Sequence, residues 1–356
     1  MTRATASVLT SELQEMGLVV EIAASPTGRR GRPTTRLMPA GGAPVVLALE
    51  VSVDTVRTAV VGLGGHLEVV ASTPLERRDV LHLLGLARDQ LRDQLAAWGR
   101  RCAGVGVAVY GLVELGSGQL VQAPNLGWTH VDLSTHLDLP PGLPVRIDNI
   151  AHLAALAEAR RGAARGHGNV LYLHSTIGLG GAVILDGQPI RGANGFAGEF
   201  GHLPFGRGDR PCRCGARGCW ETEVDQLALA RAAGRDATPA NAATMAAAVL
   251  ADAAGNHPAA RRALGHIAAV FGRGLGALVN ANDPDRIVLS EHLSDLYRAA
   301  PELIERSMRE AAMRSHRDRL PPVVPGALAA EGGLLGAAEA LFDDALGRPT
   351  ALARHT

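Results

Sequence analysis

One pattern of strands and helices occurs twice along this sequence, and it limits the possible folds more than any other feature. The first occurrence follows Pro44 and contains the strand-like runs VVLALEVS, TVRTAVVGL and LEVVAS, a helical stretch near residues 80–98, the strands GVGVAVYGL and PVRI, and the helix AHLAALAEARRG. The second contains the strands NVLYLHS and GGAVILDG, Ala-rich helices near residues 241–253 and 258–281, and the strand RIVL. Runs of strands that then alternate with helices are typical of α/β proteins. The repetition therefore predicts an α/β protein of two similar lobes.

Composition excludes several classes of protein. At 356 residues the chain can form two domains, and its formal net charge of zero gives no general attraction to nucleic acid. All 35 basic residues are arginines, which excludes a Walker-type phosphate loop because that loop needs a lysine. The sequence has neither a signal-peptide pattern nor the run of ~20 apolar residues that a membrane helix needs. We therefore expect a cytoplasmic protein without a membrane partner.

A cluster of cysteines is the strongest local signal in the chain. Cys212, Cys214 and Cys219 form a C-x-C-G-x-x-G-C motif, and His202 lies ten residues before it. Two glycines within the motif allow the backbone to fold back, so the three thiolates can converge. Three cysteines and one histidine form a closed tetrahedral set for a structural Zn²⁺ ion. The alternative interpretation is three unrelated buried cysteines.

The N-terminal segment differs from the rest of the chain. Residues 2–18 have helical spacing, with an apolar stripe formed by Val8, Leu9, Leu13 and Met16. The strand-like VVEIA, the arginine-bearing turn SPTGRRGRPTT and the strand-like RLMPA follow. Helix, strand, basic tip and strand form the second half of a winged helix-turn-helix. A ragged amphipathic N-terminus with a solvated charge run is the alternative.

The segment MPAGGAP at residues 38–44 is interpreted as a domain boundary because it is rich in glycine and proline. It divides the chain into a winged-helix remnant at residues 1–40, a first lobe at residues 44–165 and a second lobe at residues 166–356. The second lobe contains the metal motif. We expect its last helices to pack back on the first lobe.

Several motifs resemble one known family. GANGFAGEFGH followed by CRCGARGCWE is similar to the signature of the ROK family, which joins bacterial repressors, uncharacterised reading frames and sugar kinases. GVGVAVYGLVELGSGQLVQAPNLGW, PVRIDN with LAALAE, and LVNANDPDRIVL resemble further blocks of that family in the expected order. The resemblance covers the chain from about Pro44 onward. It implies the actin-like, two-lobed fold of sugar kinases, and the N-terminal segment fits the repressor branch.

The segments that serve ATP in family kinases are altered here. The family's D-x-G-G-T turn is replaced by EVSVDT, in which Ser52 and Val53 stand in place of the glycines. A β-branched residue does not readily adopt φ > 0, and its side chain blocks close approach of a phosphate. The second phosphate segment retains GLGG but is preceded by Ser175, Thr176 and Ile177, and the adenosine-side VLGG is replaced by a sequence ending in Ser290 and Glu291. We therefore expect that ATP does not bind.

The catalytic position is also changed. In the family pattern a strand ending P-V-x-V-E-N-D leads into a helix, and the flanks PVRI and LAALAE fix the same register here. Asn149 then matches a sugar-binding asparagine, Ile150 occupies the position of the catalytic aspartate, and His152 replaces the next asparagine. Asp148 falls on the preceding acidic position, whose side chain should point elsewhere. Because Ile150 cannot accept a proton, the resemblance predicts a pseudokinase.

The residues that contact sugar in the family are better preserved. By resemblance, the sugar-binding set is Asn125, Asn149, Glu199, His202 and Glu221. Amides and carboxylates offer several donor or acceptor sites to neighbouring hydroxyls. Glu199 and Glu221 have an alternative role, either orienting zinc ligands or lying in solvent. Tyr110 replaces a proline seen in the family, which alters the expected shape of the cleft.

These expectations combine into a sugar-responsive transcriptional regulator, interpreted as a repressor, on an inactive sugar-kinase scaffold. The alternatives are an ATP-dependent hexose or N-acylhexosamine kinase and a sugar-binding pseudo-enzyme that does not bind DNA. The expected partners are a sugar effector, operator DNA and further copies of the chain in a homodimer or homotetramer. The candidate DNA contacts are Arg3 and Thr5 on the helix and Arg29, Arg30 and Arg32 on the wing. Family repressors have two more helices before this one; without them Val8, Leu9 and Leu13 would lack a partner, and DNA binding would be weak.

Overall fold

The computed structural model describes residues 2–23, 35–74, 79–206 and 208–347. A short N-terminal head precedes two lobes, and each lobe is built on a five-stranded sheet. The head consists of α1 (Arg3–Glu15), β1 (Val19–Ala23) and β2 (Thr35–Pro39), and the two strands pair antiparallel. This is the helix and strand pair that the N-terminal sequence predicts.

The first lobe follows the head directly. Its elements are β3 (Val45–Val51), β4 (Thr55–Gly62), β5 (Leu67–Pro74), α2 (Val80–Trp98), β6 (Cys102–Val109), β7 (Leu112–Val113), β8 (Leu120–Ala123), β9 (Trp128–Val131), α3 (Leu133–Leu137), β10 (Val145–Asn149) and α4 (Ile150–Arg161). The sheet has the order β10-β6-β3-β4-β5. Strands β3, β4 and β5 are antiparallel neighbours, whereas β6 and β10 extend the sheet in parallel from β3. Strands β7, β8 and β9 form a separate small sheet.

The second lobe repeats this plan. Its elements are β11 (Asn169–Thr176), β12 (Gly178–Leu185), β13 (Gln188–Pro189), α5 (Glu221–Val224), α6 (Gln226–Ala232), α7 (Ala242–Ala254), α8 (Pro258–Asn282), β14 (Arg286–Glu291), α9 (His292–Ala299), α10 (Pro301–Ala311), α11 (Arg314–Arg317), β15 (Val323–Pro325) and α12 (Gly332–Leu346). Its sheet has the order β13-β12-β11-β14-β15, again with three antiparallel strands followed by two parallel ones. The duplicated α/β plan predicted from the sequence is confirmed.

The last helix, α12, packs against the first lobe. It contacts α4, β3 and β6, and Arg160 on α4 makes a bidentate ion pair with Asp343, with N–O distances of 3.0 and 2.7 Å. Gly336 allows the two helices to come close, because a Cβ at this position would collide with the backbone of Leu153. Helices on both faces also explain why all seven residues of β3 are buried.

The head packs on the first lobe through the end of α1. Leu13 and Met16 pack against the cluster of buried residues that contains Leu18 and residues of α12. The expectation that Leu13 would lack an apolar partner is therefore wrong, because the first lobe itself supplies one. Val8 and Leu9 nearer the start of the helix are 58% and 44% exposed, and Thr5 is exposed as well.

The candidate DNA contacts belong to the head. The wing residues Arg29, Arg30 and Arg32 lie outside the described residues. Arg3 is the first residue of α1, where Thr2 caps the helix by accepting a hydrogen bond from the backbone of Thr5. Within the described ranges, none of the helices has both the length and the apolar character that crossing a membrane requires.

Candidate functional site

The predicted metal ligands lie together in the second lobe. The ligand atoms of His202, Cys212, Cys214 and Cys219 all lie within 4.8 Å of one another. The sulfurs of Cys214 and Cys219 are 3.7 Å apart, and Nδ1 of His202 is 3.8 Å from the sulfur of Cys212. Two thiolates bound tetrahedrally at 2.3 Å from one Zn²⁺ ion would be about 3.8 Å apart. The spacing of these donor atoms therefore fits a tetrahedral ion.

A tight loop brings the cysteines together. Pro211 pairs with Arg217 as an isolated β-bridge, and the backbone N–H of Cys212 donates to the carbonyl of Ala216 over 2.8 Å. Gly215 and Gly218 have φ values of +98° and +72°, which residues with a side chain rarely adopt. The two glycines therefore permit the fold-back that the sequence motif predicts. His202 joins from a 3₁₀ turn, Phe200–His202, that follows β13.

A cavity of about 320 Å³ lies between the lobes, beside this loop. All five predicted sugar-binding residues line it: Asn125, Asn149, Glu199, His202 and Glu221. They come from four separate segments, since Asn125 follows β8, Asn149 ends β10, Glu199 and His202 flank the 3₁₀ turn, and Glu221 begins α5. Cys214 also lines the cavity. The loop of residues 208–220, which carries the predicted cysteine ligands and is called the metal loop below, therefore forms part of the cavity wall.

The amide of Asn149 is held in a fixed position. Its Oδ1 accepts a hydrogen bond from the backbone of Ala151 over 2.7 Å and so caps α4, while its Nδ2 donates to the carbonyl of Gly111 over 2.8 Å. An amide has two N–H groups and two acceptor lone pairs, so one of each remains for a ligand. Asn149 therefore both stabilises the helix end and presents polar atoms to the cavity.

His202 connects the cysteine cluster to the cavity. Its Nδ1 faces the cysteines, whereas its Nε2 lies 3.6 Å from Oε2 of Glu199. Burial raises the pKa of Glu199, and the neighbouring His202 opposes that shift. Glu221 accepts hydrogen bonds from the thiol of Cys212 over 2.9 Å and from the backbone of Leu179 over 3.3 Å. Both glutamates thus lie next to candidate metal ligands while lining the cavity, so the two roles considered for them are compatible.

Sequence reasoning missed one polar pair in the cavity wall. The hydroxyl of Tyr110 lies 2.7 Å from Nε2 of His174, and both residues line the cavity. Burial lowers the pKa of His174 to about 4, so its imidazole is neutral near pH 7. The available signals were the replacement of a family proline by Tyr110 and a single histidine on the apolar strand β11. Neither signal indicates that the two side chains meet.

The segments that would approach ATP phosphates meet in an apolar contact. Val53, from the turn after β3, is only 3% exposed and packs with Ile177 and Ala242 of the second lobe. Tyr110 and Leu227 pack against the same cluster. Neither Ser52 nor Val53 has positive φ, so this turn does not adopt a conformation that needs glycine. Apolar side chains therefore occupy the space between the two turns.

Acidic residues surround the same end of the cleft. Burial raises the pKa of Glu50 to about 7, with Glu291 and Asp54 adding to the rise and Arg57 opposing it. Glu291, at the end of β14, has φ +54° and ψ −131°, a conformation found almost only in glycine. This conformation is consistent with the resemblance to family kinases, which places a glycine at this position. To the extent that they are ionised, these carboxyl groups disfavour the negative charge of a nucleotide.

Comparisons with known proteins identify the family. The family model described as ROK family matches residues 46–344, most of the chain. The chain belongs to the ROK family. The glucokinase of Halalkalibacterium halodurans is 32% identical over 203 residues, which are 54% of this chain and 62% of that protein. The xylose repressor of Caldicellulosiruptor bescii is 32% identical over 233 residues, 64% of this chain and 58% of that protein. These two alignments span less than two thirds of either relative.

Solved structures of ROK proteins share the fold. The ROK family glucokinase of Streptomyces griseus, solved with glucose and AMPPNP, has a TM-score of 0.72 at 27% identity and aligns over 83% of this chain and 98% of its own. A ROK family transcriptional regulator, a homologue of the E. coli MLC protein, has a TM-score of 0.77 at 22% identity over 99% of this chain and 92% of its own. At 22% identity, the second similarity shows the fold alone. The relatives of this ROK chain thus include both kinases and regulators.

By its resemblance to the ROK kinases, position 150 corresponds to their catalytic aspartate. Ile150 is 4% exposed and lines the cavity. Asp148 does not line it; its carboxylate pairs with Arg191, lies 3.9 Å from Arg146 and is 3.6 Å from Nδ1 of His152. The acidic side chain nearest to this position in sequence therefore points away from the cavity. A hydrocarbon stands at the position where the resemblance to ROK kinases places the catalytic aspartate.

Proposed function

We propose that the chain is a sugar-responsive transcriptional regulator whose cleft binds a sugar without phosphorylating it. The observation that carries this proposal is Ile150 in the cavity wall, at the position of the catalytic base. A general base must lie within hydrogen-bonding distance of the hydroxyl it deprotonates, directly or through one water molecule. Ile150 offers no such group, and Asp148 is held by arginines on the other side of β10.

The cavity is suited to a small polyol. Its volume of about 320 Å³ falls within the range of small-molecule pockets. Asn149 and the carboxylates of Glu199 and Glu221 offer donors and acceptors from three segments of the cavity wall. A hexose or pentose presents several hydroxyls, each able both to donate and to accept. Loss of one such partner leaves a buried hydroxyl without a hydrogen bond, which is the physical basis for selectivity.

The nucleotide end of the cleft supports a pseudokinase. The contact of Val53 with Ile177 and Ala242 excludes phosphates from the space between the two turns. The carboxyl groups of Glu50 and Glu291 at the same end repel a polyphosphate only to the extent that they are ionised, because burial raises the pKa of both. Both effects oppose ATP binding independently of the missing base.

We further propose that His202, Cys212, Cys214 and Cys219 hold one structural Zn²⁺ ion. A bound zinc ion would supply fixed geometry rather than reactivity, because four protein ligands leave no open coordination position. His202 would bind through Nδ1 and keep Nε2 directed at Glu199. The same loop would hold Cys214 in the cavity wall. Removal of the metal should therefore weaken sugar binding.

The proposed second partner is operator DNA. The helix α1 and the strands β1 and β2 have the order of the second half of a winged helix-turn-helix. Arg3 and Thr5 would approach base edges, and the wing residues Arg29, Arg30 and Arg32 would contact phosphates or the minor groove. We place this activity in the cytoplasm and in a homodimer or homotetramer. The proposed domains are residues 1–40, 44–165 and 166–356.

Sugar binding and ATP turnover test the proposal together. The full chain is titrated with a panel of hexoses, pentoses and N-acylhexosamines by calorimetry, with and without Mg-ATP. We expect at least one sugar to bind and ATP to leave its dissociation constant unchanged. Glu199→Gln should weaken binding roughly tenfold or more, because a hydrogen bond to a charged acceptor contributes about 1.5–3 kcal/mol. The matched control is Glu302→Gln, at an exposed position on α10, which should bind normally.

A sugar kinase remains the second candidate because the polar set of the cavity is complete and a glucokinase is 32% identical. Sugar-dependent ATP hydrolysis at ordinary enzymatic rates, on the order of 1–10³ s⁻¹, would establish the kinase and overturn the regulator. Sugar binding without turnover, but also without any preference for the protein's own promoter DNA, would favour a pseudo-enzyme that does not bind DNA.

A further inference from the structure

A second cavity, of about 520 Å³, is lined entirely by residues of the second lobe. It shares no lining residue with the cavity between the lobes. Its walls come from the metal loop, helix α5, helix α6 with the two residues after it, and the first three turns of α8. Neither the proposed sugar site nor the proposed DNA contacts use any of these residues.

The charged side chains around this cavity are mostly arginines. Arg210, Arg231 and Arg262 line it, together with His266 and a single carboxylate, Glu223. Glu223 is 3.0 Å from Nε of Arg210, so it offsets one of the three positive charges. Among the residues that the structure describes, no carboxylate forms an ion pair with Arg262 or His266. The three arginines and Glu223 together leave an excess of two positive charges in the lining.

The arginines are also close enough to affect one another. Burial lowers the pKa of Arg231, and the positive charge of Arg210 is the next largest cause. Arg231 donates one hydrogen bond to the carbonyl of Thr222, which leaves most of its guanidinium N–H groups for another acceptor. Two guanidinium groups that repel each other across a cavity are stabilised when an anion lies between them.

The shape of the cavity leaves room for that anion. Small residues form its floor: Ala228, Ala232, Ala233, Gly234, Ala259 and Ala263. Arg262 and His266 are one helical turn apart on α8, so both side chains lie on the same face. The cavity also includes the first turn of this 25-residue helix, where unpaired backbone N–H groups and the helix dipole favour negative charge.

We propose that this cavity binds the phosphoryl group of a small molecule. A phosphate presents three or four oxygens to converging guanidinium groups, and arginine binds such groups through two parallel hydrogen bonds. The bound oxygens accept hydrogen bonds from both Arg231 and Arg262. They also contact Arg210, which keeps its ion pair with Glu223. Because Arg210 belongs to the metal loop, the ligand contacts the segment that also forms one wall of the interlobe cavity. The ligand is a phosphomonoester or inorganic phosphate.

The experiment uses the full chain at constant ionic strength and pH 7.5, with chloride as the reference anion. Inorganic phosphate, glucose 6-phosphate and glucose are titrated by calorimetry and by thermal denaturation, at concentrations up to about 10 mM, so that millimolar affinities are detected. We expect saturable binding of phosphate or glucose 6-phosphate. The double variant Arg231→Ala/Arg262→Ala should lose at least about tenfold in affinity, which corresponds to 1.4 kcal/mol.

Matched variants separate this site from general charge effects and from the sugar cavity. Arg261→Ala removes an exposed arginine next to Arg262 that does not line the cavity, and its affinity should stay within about twofold of the parent. Arg262→Lys keeps the charge and should retain part of the affinity. Glucose 6-phosphate that binds equally well to the double variant but not to Glu199→Gln occupies the interlobe cavity, and this result overturns the proposal. Equal losses in Arg261→Ala, or no saturable binding of either phosphate compound, overturn it as well.

Discussion

The sharpest quantitative prediction concerns Glu50, the buried acid near the end of β3. Its carboxyl group is 6% exposed and lies 3.4 Å from Nη1 of Arg57, which is its nearest cation. Burial raises its pKa from the ordinary 4.5 to about 7, and the charges of Glu291 and Asp54 add to the rise. Arg57 opposes the rise but also bonds to the backbone of Ala330, so it is shared between two acceptors. The folded protein thus prefers the neutral form of Glu50.

The raised pKa gives a definite pH dependence of stability. A carboxyl whose folded pKa is above its unfolded value contributes stability that is complete below pH 4.5 and is lost as the pH rises through about 7. Each pKa unit corresponds to about 1.4 kcal/mol, so the ionised carboxylate lowers the free energy of unfolding by about 3 kcal/mol at pH 8. Glu50→Gln has nearly the same shape and cannot ionise. It should therefore stabilise the protein by about that amount at pH 8 and by little at pH 4.5.

Urea unfolding of the parent chain and of Glu50→Gln, measured from pH 4.5 to 8.5, tests this prediction. The difference in the free energy of unfolding should grow between pH 4.5 and 7 and then stay constant. Glu68→Gln, an exposed position on the edge strand β5 of the same sheet, is the matched control and should change stability by less than about 0.5 kcal/mol at each pH. A difference for Glu50→Gln that does not vary with pH, or that has the opposite sign, would refute the assignment of a raised pKa to Glu50.

Three further predictions concern the metal, the missing base and DNA. Protein purified without chelators should contain about one zinc per chain. Cys214→Ala should lose both the metal and sugar binding, whereas the control Cys102→Ala, in the core of the first lobe, should keep both. Parent protein that contains no metal would contradict the proposed site. Ile150→Asp should not create a kinase, because Val53 and Ile177 still pack together in the space where ATP phosphates would have to bind. Sugar-dependent turnover of about 1 s⁻¹ by that variant in a coupled assay would show that only the base was missing. DNA binding should weaken as the salt concentration rises. In a plot of log K against log [salt], replacing Arg29 and Arg30 by alanine should reduce the slope by about 0.9 for each phosphate contact that is lost. An unchanged slope would show that these arginines do not contact DNA.

Local patterns in the sequence were sufficient to predict most secondary structure. Helices expected at 241–253 and 258–281 are observed at Ala242–Ala254 and Pro258–Asn282. Periodic apolar residues indicate such elements because burial on one face repeats with the period of the backbone. The duplicated order of strands followed from the same patterns. The cysteine cluster could also be predicted from the sequence, because its three thiols lie within eight residues and its glycines permit the fold-back.

The cavity between the lobes could be predicted only through the resemblance to a family. Its polar residues come from positions 125, 149, 199–202 and 221, and no spacing along the chain relates them. The resemblance to family motifs identified each of these residues, and the fold brings all of them to one cavity. The same register located Ile150. The packing of Leu13 on the first lobe was missed because helical periodicity identifies an apolar face but not the surface that covers it.

Contacts between distant segments depended on the tertiary structure alone. Val53 meets Ile177, Tyr110 meets His174, and Arg210 approaches Arg231 and Arg262 only because the two sheets and their helices pack in one particular arrangement. The sequence by itself determined which elements form and where the cysteines converge. Only its resemblance to the ROK family assigns Ile150 to the position of an acid. The sequence did not determine that Val53 packs against Ile177 across the two lobes or that three arginines line one cavity. Periodicity and motifs describe neighbours along the chain, whereas side chains from different elements are brought into contact by the packing of the whole fold.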